Sequence, residues 1–393
     1  MTAPDLRTFA TSWAFPTTVL FGVGGIAKAP RACQGAGMSR PLVVTDRGLA
    51  DLPFVGTLME ALAGAGLEPL LFAEVRSNPV GANVEAGVAA FGEGRCDGVL
   101  AIGGGSALDA GKAIAFQAGQ TRPFFSFAGS GGRWRQADAD AIRPVVAIPT
   151  TAGTGSEVSQ GVVITEEAGR SKQIVFHPSM MPKAAILDAD LTIGLPPLLT
   201  AGTGMDALAH CLEAYCAPGF HPMCEGIAVE GVRLVREALP RAHADGADRE
   251  ARSMMLAASA MGAVAFQKGL GAVHSLSHPI GAVHDTHHGL TNGVLLPYVL
   301  AHNRPAIEER IVRLAGWLGL PKASFSGFLD WLLELRATLA VPHSLAALGV
   351  PGQDFAGLAR MAAADPTAAG NPLPVDEQSL RILLEQAHDG TAF

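Results

Sequence analysis

Twelve histidines occur in the chain, and five of them crowd into fifteen residues: His274, His278, His284, His287 and His288. Upstream, Asp206 and His210 stand four residues apart in the strongly helical segment DALAHCLEAY. That spacing places both side chains on one helix face. His274 and His278 repeat it, with Pro279 and Gly281 expected to bend or end their helix and His288 expected in the loop beyond. Two helices and a loop can thus bring a carboxylate and several imidazoles to one point. A lone histidine on an apolar face is more often packing. Five together, opposite an Asp-xxx-His pair, point to a metal site. Catalytic zinc usually takes three protein ligands plus water. A carboxylate with three imidazoles already makes four, so room for substrate requires five or six positions. That favours Fe(II), with Zn(II) the alternative because it competes well on affinity. Cys211, beside His210, is expected on another face as core packing.

A second kind of chemistry lies upstream. The apolar run Val99–Ile102 leads into Gly103-Gly104-Gly105-Ser106, with Asp109 one turn on. Val145–Ile148 leads into a loop carrying Thr150, Thr151, Thr154 and Ser156. Glycines let backbone approach a phosphate, helix-start amides attract it, and hydroxyls donate to phosphate or ribose oxygens. Each loop alone reads equally as a tight turn. Two of them at the carboxyl ends of parallel strands mark the edge where open α/β sheets bind ligands. Asp46 follows the Leu42–Val44 run. Its carboxylate is placed either to accept from a ribose 2′-hydroxyl and repel a 2′-phosphate, or simply to cap a helix. Gly22–Ala27 reads as a turn before a helix.

These residues need elements to hold them. In the first half, apolar runs of three to four residues alternate with helical patterns, as βαβ units around a buried parallel sheet do. From Pro196-Pro197 onward helical periodicity dominates. The chain therefore divides into an α/β domain over 1–190 and an all-helical domain over 191–393. Of the 393 residues 49% are apolar and 16% charged, which excludes a disordered chain. A net charge of −8 without basic blocks argues against nucleic acid and anionic membranes as partners. The longest apolar stretch, Met254–Phe266, has 13 residues where a membrane span needs about 20. Five cysteines without a CxxC pair signal neither a disulfide framework nor a zinc knuckle. A cytoplasmic protein is expected.

The segments GGGSALDAGKA, AIPTTAGTGSEVS, ILDADLTIGLPP, GMDALAHCLEAY and GLGAVHSLSHPIGAVHDTHHG together resemble the iron-containing (group III) alcohol dehydrogenase family. The resemblance runs in order from FPTTVLFGVGGI to GNPLPV. It implies a Rossmann-like nucleotide-binding domain, a helical metal-binding domain and an active site in the cleft between them. It implies metal ligation by Asp206, His210, His274 and His288, with His278 near the substrate oxygen as proton relay. Gly104, Gly105, Ser106 and Asp109 would hold the pyrophosphate and nearby ribose. Thr150, Thr151, Thr154 and Ser156 would contact phosphate, ribose or nicotinamide, and Lys172 and Leu191 would complete the cofactor site. Asp46 matches the position tied to NAD rather than NADP, and Asn78 matches a cofactor-side loop. Ala107, Gly111 and His287 depart from the usual family residues. The stretch from Phe266 to His274 is one residue shorter than in the lactaldehyde reductase branch. His287 and that stretch flank the substrate pocket, so substrate identity does not carry over. A small alcohol or aldehyde is expected, in a pocket with Gly161, Val163 and Phe266, in a homodimer or larger homo-oligomer. One rival is a cyclase or lyase of the dehydroquinate-synthase-like type, disfavoured because the helical motifs lack the Lys and Arg its charged substrates need. Another is a non-catalytic binding paralogue, disfavoured because all four ligand positions are intact.

Overall fold

A computed structural model describes residues 17–129, 132–169 and 171–391. They form two compact units that divide between Gly194 and Leu195, where the sequence reading places the boundary after residue 190. The residues past 190 stay with the first unit for a physical reason. Asp188 caps the short helix Ala189–Thr192, and its two carboxylate oxygens also accept from Gly24 N and Ile26 N at 3.0 Å each.

The first unit runs β1 (Thr18–Phe21), α1 (Ala29–Gly35), β2 (Pro41–Asp46), α2 (Arg47–Ala50), α3 (Pro53–Gly64), β3 (Leu70–Val75), α4 (Gly81–Glu93), β4 (Gly98–Gly103), α5 (Gly105–Gln117), β5 (Val145–Pro149), β6 (Gly161–Glu166), β7 (Ser171–Phe176) and β8 (Ala184–Leu187). Six strands form a parallel sheet in the order β1-β8-β5-β4-β2-β3. Side chains alternate strictly between its faces. Leu42, Val44, Val99, Ala101, Val145 and Ala147 enter one core with α4 and α5. Val43, Leu100, Ile102, Val146 and Ile148 enter the other with α1 and α3. Two buried faces explain why these strands read as unbroken apolar runs. From β2 the chain winds one way to β3 and the other way to β4, β5 and β8. The switch therefore falls between the carboxyl ends of β2 and β4, at Asp46 and Gly103. β6 and β7 form an antiparallel hairpin. The sequence reading did not include β1, β8 or this hairpin. β1 and β8 have four residues each, and the hairpin strands are half-exposed and carry polar residues, so none shows a decisive pattern.

The second unit is helical: α6 (Pro197–Cys216), α7 (Pro222–Ala244), α8 (Arg249–Ala265), α9 (Ala272–His284), α10 (His288–Trp317), α11 (Phe325–Thr338), α12 (Phe355–Ala364) and α13 (Glu377–Asp389). α6 is buried on every side from Gly204 to Cys216 and packs against α7, α8 and α10. Two expectations are corrected. Of the two outcomes expected at Pro279 and Gly281, a bend or an end, the end does not occur: α9 continues through both, because its residues 272–281 are all buried and packing outweighs the missing backbone bond. His288 does not lie in a loop. It is the first residue of α10, whose start is capped by His287 Nδ1 accepting from Leu290 N. No single helix among the described residues is long and apolar enough to cross a membrane.

Candidate functional site

α6 carries Asp206 and His210 on one face, α9 carries His274, and the first turn of α10 carries His288. Their approach depends on backbone contact between α6 and α10. A methyl group on Gly289 would lie 2.1 Å from the Gly202 carbonyl oxygen and 3.2 Å from Asp206 Cβ, so only glycine fits there. With the helices this close, Asp206 Oδ1 lies 3.8 Å from His210 Nε2, 3.8 Å from His274 Nε2 and 3.6 Å from His288 Nε2. Ligand atoms of Asp206, His210 and His274 all fall within 4.8 Å of one another. All three residues are buried, and half-buried Phe266 packs its ring 5.3 Å from that of His210.

Two of the imidazoles are held from behind. His274 Nδ1 donates to Glu213 Oε2 at 2.6 Å, and Glu213 Oε1 accepts from Val273 N at 2.8 Å. Ser277 Oγ lies 3.4 Å from His288 Nδ1. Asn292 Nδ2 donates to Asp206 Oδ1 at 2.7 Å, while its buried Oδ1 has no hydrogen-bond partner among the described residues. Burial disfavours charge on His274, but the Glu213 hydrogen bond and the charges of Glu213, Asp206 and Asp365 outweigh it and raise its pKa. A field set by carboxylates that favours a proton on His274 also favours a cation between the rings. Three imidazole nitrogens, a carboxylate oxygen and a nearby orphaned amide oxygen therefore suit a divalent metal. His278, one turn along α9, stacks its ring 5.5 Å from that of His288 at 15°. Its Nδ1 lies 2.8 Å from Asp365 Oδ2. Cys211 points away toward Gly231 and Ala258 O, and burial pushes its thiol up to about 12.

Sequence reasoning missed Glu213, Asn292 and Asp365. Two of them had a local signal. Glu213 follows Asp206 by seven residues, which is two helical turns, and Asn292 follows His288 by four. Asp365 is 87 residues from its partner and had none.

In the α/β unit the two predicted loops meet. Gly104 caps α5 without a side-chain bond, and a methyl on Gly105 would lie 2.4 Å from Thr154 Cγ2. Thr151 flanks Gly104, and Thr150 N donates to Gly103 O at 2.9 Å. Ser106 sits in the first turn of α5. Asp109 and Ser156 turn toward each other: Asp109 Oδ1 accepts from Ser156 Oγ, and Oδ2 accepts from Val163 N at 2.8 Å. Buried Lys112 Nζ donates to Ser156 O, Ser159 O and Gly161 O, pinning the same loop. Asp46 Oδ1 accepts from Leu49 N at 3.1 Å as the cap of α2, and its Oδ2 lies beside Gly103. Asn78 takes a left-handed φ of 51° before Pro79. Lys172 pairs with Thr165 across the hairpin, and Leu191 packs on the sheet core. Gly161 and Val163 lie on β6, whereas Phe266 belongs to the helical unit.

Known proteins share both halves of this chain. The family described as "Iron-containing alcohol dehydrogenase" matches residues 16–189. "Fe-containing alcohol dehydrogenase family, C-terminal" matches residues 200–388. A 4-hydroxybutyrate dehydrogenase of Cupriavidus necator is 38% identical over 94% of this chain and 98% of its own. An NAD-dependent methanol dehydrogenase of Bacillus methanolicus is 34% identical over 96% of this chain and 100% of its own. The crystal structure of a 1,3-propanediol oxidoreductase superposes with a TM-score of 0.91 at 33% identity, covering 96% of this chain and 100% of that one. Nothing in these comparisons supports the cyclase or lyase alternative.

Proposed function

The chain belongs to the iron-containing alcohol dehydrogenase family and is an NAD-linked oxidoreductase acting on CH–OH groups, and from that premise we propose how its own residues divide the work. Asp206, His210, His274 and His288 hold one divalent metal, Fe(II) or alternatively Zn(II). The substrate is a small alcohol or aldehyde, and NAD is preferred over NADP. The observation that carries this reading is the convergence of three Nε2 atoms on Asp206 Oδ1 within 3.6–3.8 Å. Four protein ligands plus a substrate position favour Fe(II) over tetrahedral Zn(II).

When bound, the metal supplies Lewis acidity toward the substrate oxygen, and the nicotinamide supplies the ring that takes or gives hydride. The protein supplies position and proton transfer. Gly104, Gly105 and Ser106 leave the first-turn amides of α5 open to a pyrophosphate. Thr150, Thr151 and Thr154 line the facing loop, with Asp109 and Ser156 fixing its shape as well as bordering the cofactor. Asp46 accepts from a ribose hydroxyl while capping α2, and repels a 2′-phosphate. Asn78, Lys172 and Leu191 border the same cofactor. Phe266, whose ring packs against that of His210, borders the substrate. His278 takes the alcohol proton on Nε2.

A homo-oligomer belongs to the same reading. It is supported by exposed Val19, Phe21 and Val23 along and just past β1, an edge strand paired with β8 on one side and with no described strand on the other. A cytoplasmic location is supported by five buried free thiols, which suit a reducing compartment.

Metal analysis of anaerobically purified protein, with an alcohol and aldehyde panel run with both nicotinamide cofactors, tests the reading. We expect one metal per chain and NAD-dependent turnover, with both lost in Asp206→Ala. Full metal content in that variant, or a preference for NADP, would overturn the assignment.

A further inference from the structure

His278 has one nitrogen held and one open. Nδ1 is 2.8 Å from Asp365 Oδ2, and both side chains are 7% exposed. Nε2 has no hydrogen-bond partner among the described residues. Since an ionised carboxylate only accepts, the neutral ring must carry its proton on Nδ1, which leaves the Nε2 lone pair available. Asp365 is itself held. Its Oδ1 accepts from Thr367 N at 2.8 Å and Thr367 Oγ1 at 2.6 Å, so Oδ2 is the oxygen left for the ring. Burial alone would raise the Asp365 carboxyl, but the His278 and Thr367 hydrogen bonds outweigh it and hold the group ionised.

The segment carrying Asp365 also grips α9 at a second point. Asn371 Oδ1 accepts from Ala272 N at 3.1 Å, and Asn371 exchanges hydrogen bonds with Asn303 on α10. Residues 365–371 thus hold both the start of α9 and the ring one and a half turns along it. The dyad is built into the packing.

We propose that Asp365 is the positioning residue for proton transfer: it fixes His278 as the Nδ1–H tautomer so that Nε2 receives the substrate proton. This rests on His278 acting as the proton acceptor. In the oxidative direction the alcohol O–H bond breaks and the Nε2–H bond forms. The hydride leaves the carbinol carbon for NAD, the carbonyl forms, and the imidazolium then loses its proton to water. Reversing the tautomer would leave an N–H where a lone pair is needed.

Asp365→Asn tests this, because the amide oxygen can keep the Thr367 contacts while its NH2 group donates to Nδ1 and forces the Nε2–H tautomer. The ring 15N shifts of His278, read in zinc-loaded protein at a pH where the ring is neutral and assigned by loss of signal in His278→Gln, should report Nδ1–H in the parent and Nε2–H in Asp365→Asn. We expect kcat to fall about 10²- to 10⁴-fold, with KM, metal content and melting temperature nearly unchanged. Parental kcat in Asp365→Asn despite a reversed tautomer, or Nε2–H in the parent, would overturn the proposal. If His278→Gln also kept its activity, the fault would lie with His278 as proton acceptor rather than with Asp365.

Discussion

At the scale of single residues, the centre is shaped as much by what stands behind the imidazoles as by the imidazoles themselves. Glu213 holds the Nδ1–H of His274 and, with its other oxygen, the amide of Val273 at the start of α9. One carboxylate therefore fixes a ring's tautomer and its helix's position together. Such outer contacts are worth roughly 10- to 100-fold in metal affinity. We expect Glu213→Gln to weaken metal binding by about that factor, because the amide keeps the size but loses the charge and offers N–H where an acceptor is required. Competition with a chromophoric chelator measures this, and unchanged affinity would assign Glu213 to helix capping alone. Glu213 was readable in principle, since it shares a helix face with Asp206 and His210, yet on an amphipathic reading it passes for one more polar residue.

At the scale of elements, the site depends on how closely α10 approaches α6. Gly289 has backbone, not a flexible side chain, at 2.1 Å from where a methyl would sit. No rotamer change can relieve that clash. Gly289→Ala should therefore push the first turn of α10 outward and separate His288 from Asp206. We expect a loss of about 1–3 kcal/mol in stability, as for other overpacked sites, and weaker metal binding, seen in thermal melts with and without added metal. Retention of both would mean the helix start yields without moving His288. The element boundaries also show where local signals mislead. Pro279 ordinarily marks a helix end. In α9, complete burial from Ala272 to Gly281 keeps the helix going, and the turn to α10 comes only after Asp285 adopts a left-handed conformation.

At the scale of the molecule, stability and pH are linked through a buried carboxyl remote in sequence from the histidines. Both Glu157 oxygens are buried, and burial pushes the group from 4.5 up to about 7 despite the opposing pull of its own backbone amide and of the nearby Lys112. A raised pKa means that the folded state holds the proton longer than the unfolded chain. The associated stability is fully present below about pH 4 and is lost as pH rises through 7. The loss is on the order of 3 kcal/mol. Glu157→Gln stays neutral throughout. Its urea midpoint should exceed that of the parent at pH 8, with the difference shrinking toward pH 5. A difference independent of pH would remove Glu157 from the linkage.

Periodic and contiguous signals were legible in the chain alone. The Asp206–His210 and His274–His278 pairs, the glycine and threonine loops after apolar strands, and the change from βαβ alternation to helices all follow from backbone geometry acting over a few residues. Tertiary packing decided the rest. It placed His288 in the first turn of a helix, kept Pro279 inside another, turned Asp109 toward Ser156 and Val163, and brought Asp365 to His278 across 87 residues. The physical reason is range. Helical and strand periods relate neighbours, whereas a hydrogen bond between distant segments exists only once buried apolar faces have set where those segments lie.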